Sequence, residues 1–180
     1  MILINKIKQV WYRVALSPEE YAKKMGVKFG KKCKISTYKI GSEPYLITLG
    51  NHVHITANVQ FINHDGGVWI FRDEIPDFDV FGKIFIDDNT FIGNNAVIMP
   101  GVKIGKNCVV GANSLVTKSF PDNCIIAGIP AKFIMHTHEY KEKMVAKNAK
   151  TKSYFKDEKK NKILNLPDEL FMEKPYYNIK

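Results

Sequence analysis

The stretch Ile86-Asp87-Asp88-Asn89-Thr90-Phe91-Ile92-Gly93-Asn94-Asn95-Ala96-Val97-Ile98 sets a rhythm that runs on to Phe120. An aliphatic residue returns at every sixth position: Ile86, Ile92, Ile98, Ile104, Val110 and Val116. Four residues after each comes a second series, Thr90, Ala96, Val102, Cys108, Ser114 and Phe120, of which all but the last are small or β-branched. Glycine follows the aliphatic residue at Gly93, Gly105 and Gly111, and Asn or Asp fills the intervals, as in Asp88-Asn89, Asn94-Asn95, Asn107 and Asn113. A period of six with two inward positions fits neither an amphipathic helix nor a simple alternating strand. It fits a short strand and a turn, repeated. Each aliphatic residue then points into a narrow interior, and the small residue four later faces inward near a corner. Gly and Asn are expected to supply the positive φ of such corners. Stacked coils would pair their strands in parallel around one aliphatic column.

The same rhythm is weaker upstream. Leu49, Ile55 and Phe61 are spaced by six, with Val53 and Val59 four after the first two; Phe29 and Ile35 repeat the spacing, with Cys33 between. Tyr38 to Leu46 breaks register and predicts an irregular coil. With three hexads to a triangular coil, residues 29–121 would hold about four to five coils. A β-sandwich would instead show period-two alternation with turn signals every 8–12 residues or so.

Ile92 to Gly105, then Val110-Gly111-Ala112-Asn113-Ser114-Leu115-Val116-Thr117-Lys118, and finally Ile126-Ala127-Gly128-Ile129-Pro130-Ala131-Lys132, resemble the hexapeptide-repeat acyltransferases. That family includes galactoside, maltose, serine and xenobiotic acetyltransferases and many polysaccharide O-acetyltransferases. The resemblance spans residues 29–134. It implies an all-β fold, a left-handed parallel β-helix, to which the residues at both ends add short helical extensions. It also implies a homotrimer that binds acetyl-CoA between subunits, with no metal. The handedness comes from the resemblance alone, because the usual crossover rule favours the opposite hand.

Acetyl transfer needs a base, donors for the tetrahedral oxyanion, and a groove that aligns thioester and acceptor. His64 stands in Phe61-Ile62-Asn63-His64-Asp65-Gly66-Gly67, where the hexads stop for about 20 residues before resuming at Ile84. A histidine entering such an excursion is well placed to face a groove, and imidazole titrates near neutrality. In similar enzymes the catalytic histidine stands before a projecting loop, which makes His64 the expected base. Asp65, Asp79 or a backbone carbonyl could orient it. The excursion, residues 65–83, carries Trp69, Phe71, Phe78 and Phe81 with Asp73, Glu74, Asp77 and Asp79. It reads either as an acceptor wall, with Asp65, Trp69 and Asp79 as candidates, or as a loop anchored by its aromatics. His52 and His54 fall at outward or corner positions, and His136 and His138 past the end of the helix.

The resemblance maps a pantetheine path along Asn94, Gly111, Ala112 and Thr117, with Lys118 and Lys132 near the nucleotide phosphates. Phe91 stands where many relatives carry Trp, keeping an apolar wall without the indole donor.

The ends read differently. Ile7, Val10, Trp11 and Val14 form an apolar helical stripe expected to cap the first coil, or to rest on a membrane surface. Ser17-Pro18-Glu19-Glu20 opens a helix that ends near Gly26. The expected division is a helical cap at 1–28, the repeat at 29–134 with the loop 65–83 inserted, and a charged, helical or irregular tail at 135–180. The chain has 180 residues, 45% apolar, and no apolar run long enough to span a membrane. Residues 1–14 lack a signal-peptide pattern, which points to the cytoplasm, with a peripheral place at the inner face of the membrane as the variant. Cys33, Cys108 and Cys124 suggest neither a disulfide framework nor a zinc site. The net charge of +9 suits an anionic ligand, a membrane surface or nucleic acid, but no nucleic-acid recognition motif accompanies it.

The expected reaction is O-acetylation of a carbohydrate hydroxyl, on a surface polysaccharide, its repeat unit or a sugar precursor. N-acetylation of an amino-sugar nucleotide and xenobiotic acetylation are the alternatives within the class. A non-catalytic scaffold is the alternative outside it, and would need neither His64 nor the groove at 112–118.

Overall fold

The computed structural model describes residues 11–176. Its strands are short, and the chain visits three sheets in rotation. The four-stranded sheet holds β1 (Lys28–Phe29), β3 (Ile47–Leu49), β6 (Ile84–Ile86) and β9 (Lys103–Ile104), in that order. The six-stranded sheet holds β2 (Lys34–Ile35), β4 (His54–Ile55), β7 (Phe91–Ile92), β10 (Val109–Val110), β12 (Cys124–Gly128) and β13 (Ala131–His136). The three-stranded sheet holds β5 (Gln60–Phe61), β8 (Val97–Ile98) and β11 (Leu115–Val116). All pairings are parallel except β12 with β13, a hairpin that turns at Ile129-Pro130 and closes the stack.

Register shows why the hexad is the unit. Ile55 pairs with Ile92 and Ile92 with Val110, Phe61 with Ile98 and Ile98 with Val116, and Ile86 with Ile104. Residues of like phase therefore stack rung upon rung. Ile86, Ile92, Ile98, Ile104, Val110 and Val116 are fully buried, and Thr90, Ala96, Val102, Cys108 and Ser114 nearly so. Each buried aliphatic side chain contributes about 1.5–3 kcal/mol. The polar members of the small series are satisfied: the Thr90 hydroxyl donates to the Gly105 carbonyl at 2.9 Å, and Ser114 Oγ accepts from the Gly128 N–H at 3.2 Å. Burial pushes the Cys108 and Cys124 thiols above their ordinary range, which keeps them protonated and unreactive.

The corners divide the work between Asn and Gly differently from the sequence expectation. Asn58, Asn89, Asn95, Asn107, Asn113 and Asn123 all have positive φ, as does His52. At the corner between the four- and six-stranded sheets their side chains form a ladder. His52 Nδ1 meets Asn89 Oδ1 at 2.7 Å, Asn89 Nδ2 donates to Asn107 Oδ1 at 2.9 Å, and Asn107 Nδ2 donates to Asn123 Oδ1 at 3.0 Å. Gly93, Gly105 and Gly111 are not in the left-handed region. They are glycine because the next rung passes too close. A Cβ on Gly93 would lie 2.6 Å from Ala112 N and 2.8 Å from the Val110 carbonyl oxygen. Both are backbone atoms that cannot swing aside. Gly93→Ala is therefore expected to cost about 1–3 kcal/mol as an overpacking change. Gly101, with φ +81 and open space around its Cβ position, should cost only about 1 kcal/mol as alanine. Thermal unfolding of the two variants checks the order; equal losses would refute the crowding argument.

Residues 38–46 break the register as expected, passing through a 3-10 turn at Pro44–Leu46 while Ile40 still reaches the core. Before the first rung lies α1 (Pro18–Lys24), opened by a full capping box between Ser17 and Glu20, with Tyr21 and Ala22 buried. The Ser17 hydroxyl and backbone N–H hold the Glu20 carboxyl below its usual range. Of the expected apolar stripe, Ile7 and Val10 lie outside the described residues. Trp11 and Val14 are exposed, and Tyr12 and Leu16 pack against the core instead. The Tyr38 hydroxyl donates to the Leu16 carbonyl at 2.8 Å, which fixes that face inward.

The chain divides into two compact units, residues 1–137 and 138–180. β13 runs to His136, so the repeat unit ends slightly beyond 134, and His136 belongs to a strand. From there the described chain forms α2 (Thr137–Val145) and α3 (Lys156–Leu164). Within the second unit Lys147 Nζ donates to the Glu169 carbonyl, and Lys162 lies 5.0 Å from the Tyr154 ring centroid. No helix among the described residues is long and apolar enough to cross a membrane.

Candidate active site

The 65–83 excursion leaves the stack at the corner between the three- and four-stranded sheets. Its base is clamped. His64 and Phe81 form an antiparallel bridge, the Asp65 N–H donates to the Val80 carbonyl at 2.9 Å, and the Gly82 N–H donates to the Asn63 carbonyl at 2.7 Å. Above this neck the chain folds into a 3-10 helix, Gly66–Phe71, whose first turn is capped where Asp65 Oδ1 accepts from the Gly67 N–H at 2.9 Å. Arg72 closes the far side, donating to Asp79 Oδ1 at 2.6 Å and to the Phe78 carbonyl at 3.2 Å.

Next to the neck lies a cleft of about 520 Å³. His64, Asp65 and Gly66 form one wall and Val80, Phe81 and Gly82 another, while Ile62, Met99, Pro100, Gly101 and Thr117 from the stacked rungs complete it. The His64 side chain is 42% exposed. Its Nδ1 lies 3.0 Å from Glu43 Oε2, and Glu43 is 16% exposed. An ionised carboxylate only accepts hydrogen bonds, so Nδ1 carries the proton in this pair, and in the neutral ring the lone pair is then on Nε2. Glu43 comes from the register-breaking coil, 21 residues from His64 in sequence. It, not Asp65, Asp79 or a backbone carbonyl, is the partner of the ring. The sequence signals it only as an acid inside the segment where the hexads fail.

The other expected site residues fall into separate groups. Thr117 lines the cleft with His64, and the exposed Lys118 follows it at the same corner. Asn94, Gly111 and Ala112 lie at the corner between the six- and three-stranded sheets, where the Asn113 N–H donates to the Asn94 carbonyl at 2.8 Å. Phe91 projects outward from β7, half exposed, with its ring edge-on to His54 at 5.2 Å. Burial, and then the neighbouring Lys34, hold His54 below the ordinary histidine range. Lys132 is exposed on β13 opposite Ala127. Asp65 reaches the cleft but spends one oxygen on the cap, Asp79 is paired with Arg72, and Trp69 is exposed and does not line the cleft. No cluster of His, Cys, Asp or Glu among the described residues could hold a metal ion.

Known proteins share this framework. Residues 83–118 match the bacterial transferase hexapeptide model, which comprises six repeats. Protein CapG of Staphylococcus aureus is 50% identical over 150 residues, covering 82% of this chain and 87% of its own length. Galactoside O-acetyltransferase of Lactococcus lactis is 39% identical over 89 residues, which is 47% of this chain and 40% of that enzyme. Among solved structures, the hexapeptide-repeat acetyltransferase VCA0836 of Vibrio cholerae, complexed with acetyl coenzyme A, aligns with a TM-score of 0.54 at 26% identity, covering 62% of this chain and 61% of its own. With its hexads in register and a relative that matches most of both sequences at half identity, the chain belongs to the hexapeptide-repeat acyltransferase family.

Proposed function

We propose that this protein transfers the acetyl group of acetyl-CoA to a carbohydrate hydroxyl, with His64 as general base. The observation that carries the proposal is the Glu43–His64 pair at the edge of a cleft large enough for a sugar and a thioester. The three sheets are read as a left-handed parallel β-helix, the winding that membership of the family implies.

The acceptor hydroxyl attacks the thioester carbonyl carbon while its proton moves to His64 Nε2. Glu43 holds the ring in the tautomer that can accept it and stabilises the imidazolium that results. As the tetrahedral species collapses, the carbon–sulfur bond breaks and His64 returns the proton to the departing thiolate. No group on the protein is acylated.

Acetyl-CoA suits the residues present. The exposed and small Ala112, next to Gly111, suits a pantetheine arm, Phe91 offers an apolar wall, and Lys118 and Lys132 offer charge to phosphates. Thr117 and Lys118 share the corner of His64, but Asn94, Gly111 and Ala112 stand at another corner of the chain. A homotrimer removes the separation, since the corner bearing Asn94 and Ala112 in one copy can face the cleft of the next. A non-catalytic scaffold would have no use for a carboxylate-oriented histidine there.

The test is CoA release in the presence of a panel of sugars, with mass spectrometry of the product. Glu43→Gln keeps shape but loses the charge, and should lower kcat about tenfold, the scale of one hydrogen bond to a charged group in a partly exposed site. KM for acetyl-CoA should stay unchanged. No CoA release with any sugar or amine would remove the proposal.

A further inference from the structure

The outward face of the four-stranded sheet carries a column that neither the fold nor the acetyl-transfer step requires. Lys28, Thr48, Phe85 and Lys103 stand in register on successive rungs. Beside them lie Lys83 and the exposed ring of Tyr45, and together these residues enclose a groove of about 470 Å³. Lys28, Lys83 and Lys103 are all exposed, and no acidic residue lines the groove. Phe85 and Tyr45 are 38% and 61% exposed, an unusual outlay of aromatic surface on one sheet face.

The groove adjoins the cleft through two covalent links. Gly82 lines the cleft and Lys83 lines the groove. Glu43 holds His64, and Tyr45, two residues on, walls the groove. A ligand seated at His64 and longer than one sugar can therefore continue onto this face. With rungs about 4.8 Å apart, the ammonium-bearing positions Lys28 and Lys103 lie roughly 14 Å apart along the column. Charges spread along a line suit negative groups repeated along a chain, whereas a single phosphate calls for donors that converge. Exposed aromatic rings between them offer flat apolar faces to the C–H faces of sugar rings.

We propose that this groove binds the acidic sugars of an extended anionic oligosaccharide whose reacting residue sits at His64. The inference deepens the acetyl-transfer reading and rests on it for the second half of that statement; binding in the groove is measurable without turnover.

The experiment is calorimetric titration of the full chain with oligogalacturonate, with a neutral malto-oligosaccharide and with tripolyphosphate, at low and high salt. Binding of the oligogalacturonate, weakened by salt, with no binding of the neutral chain, is the expected result. K83E/K103E should weaken it about tenfold or more, the combined scale of two exposed charge contacts reversed in sign. The same variant should keep its thermal midpoint and its CoA release with a monosaccharide acceptor. If it unfolds, K83Q/K103Q replaces it, with a smaller loss expected. Undiminished binding by the folded variant overturns the proposal. So does tripolyphosphate binding without oligogalacturonate binding, which would make the groove a phosphate site. A change of oligomeric state in the variant would mark the face as a contact between copies and also overturn it. Failure of the acetyl-transfer reading is seen separately, as His64→Ala turning over at the native rate while the titrations stand.

Discussion

His64→Ala is expected to lower kcat by about 10²- to 10⁴-fold, the usual contribution of a positioned general base. The variant should still bind acetyl-CoA, because most of the residues assigned to that path, Phe91, Asn94, Gly111, Ala112 and Lys132, lie outside the His64 cleft. The fold should survive as well, since the side chain is 42% exposed and the space its ring vacates admits water to the Glu43 carboxylate that it leaves behind. His64→Asn makes the sharper comparison. It keeps a polar group of similar reach that can still hydrogen-bond Glu43, but it cannot accept a proton at neutral pH. If both variants lose turnover equally and keep cosubstrate affinity, proton transfer is the lost function. If asparagine restores the rate, the ring serves only to position the acceptor and another base must be sought.

Ile98→Ala is the structural counterpart. Ile98 is fully buried in β8, flanked in register by Phe61 below and Val116 above. A rung in a stack of like residues has little freedom to collapse, because moving one strand would strain two sets of parallel hydrogen bonds. The loss should approach the upper part of the range for such truncations, about 2–5 kcal/mol. Ile98→Val should cost about 0.5–1.5 kcal/mol. Ile75→Ala, at a half-exposed position in the excursion, should stay within about 0.5 kcal/mol. Denaturant unfolding monitored by circular dichroism gives all three values. A small loss at Ile98 would mean that the column is not the principal source of stability.

The repeat was legible because one-dimensional order produces it: each inward position meets the same neighbours at every rung, so the same residue types recur. The corners were legible in part. Asn was rightly tied to positive φ, but the neighbouring glycines answer to the backbone of the next rung, a contact between residues about 18 apart that local patterns do not reveal. Residues 38–46 could be read as a break, yet not as the source of Glu43, since a chain that leaves the period carries no register from which to predict a contact. The capping role expected of Trp11 and Val14 falls to their neighbours for a related reason. Tyr12 and Leu16 are as compatible with a helical face as Trp11 and Val14, and the hydrogen bond from Tyr38 decides between them.

The neck beneath residues 65–83 has an evolutionary consequence. Two main-chain hydrogen bonds seal it, the pair that makes the His64–Phe81 bridge, and neither depends on a side chain above it. What lies between Asp65 and Val80 can thus be exchanged as a cassette while the solenoid below keeps its pitch. Descendants of one scaffold could acquire new acceptor preferences by grafting there, leaving donor handling untouched.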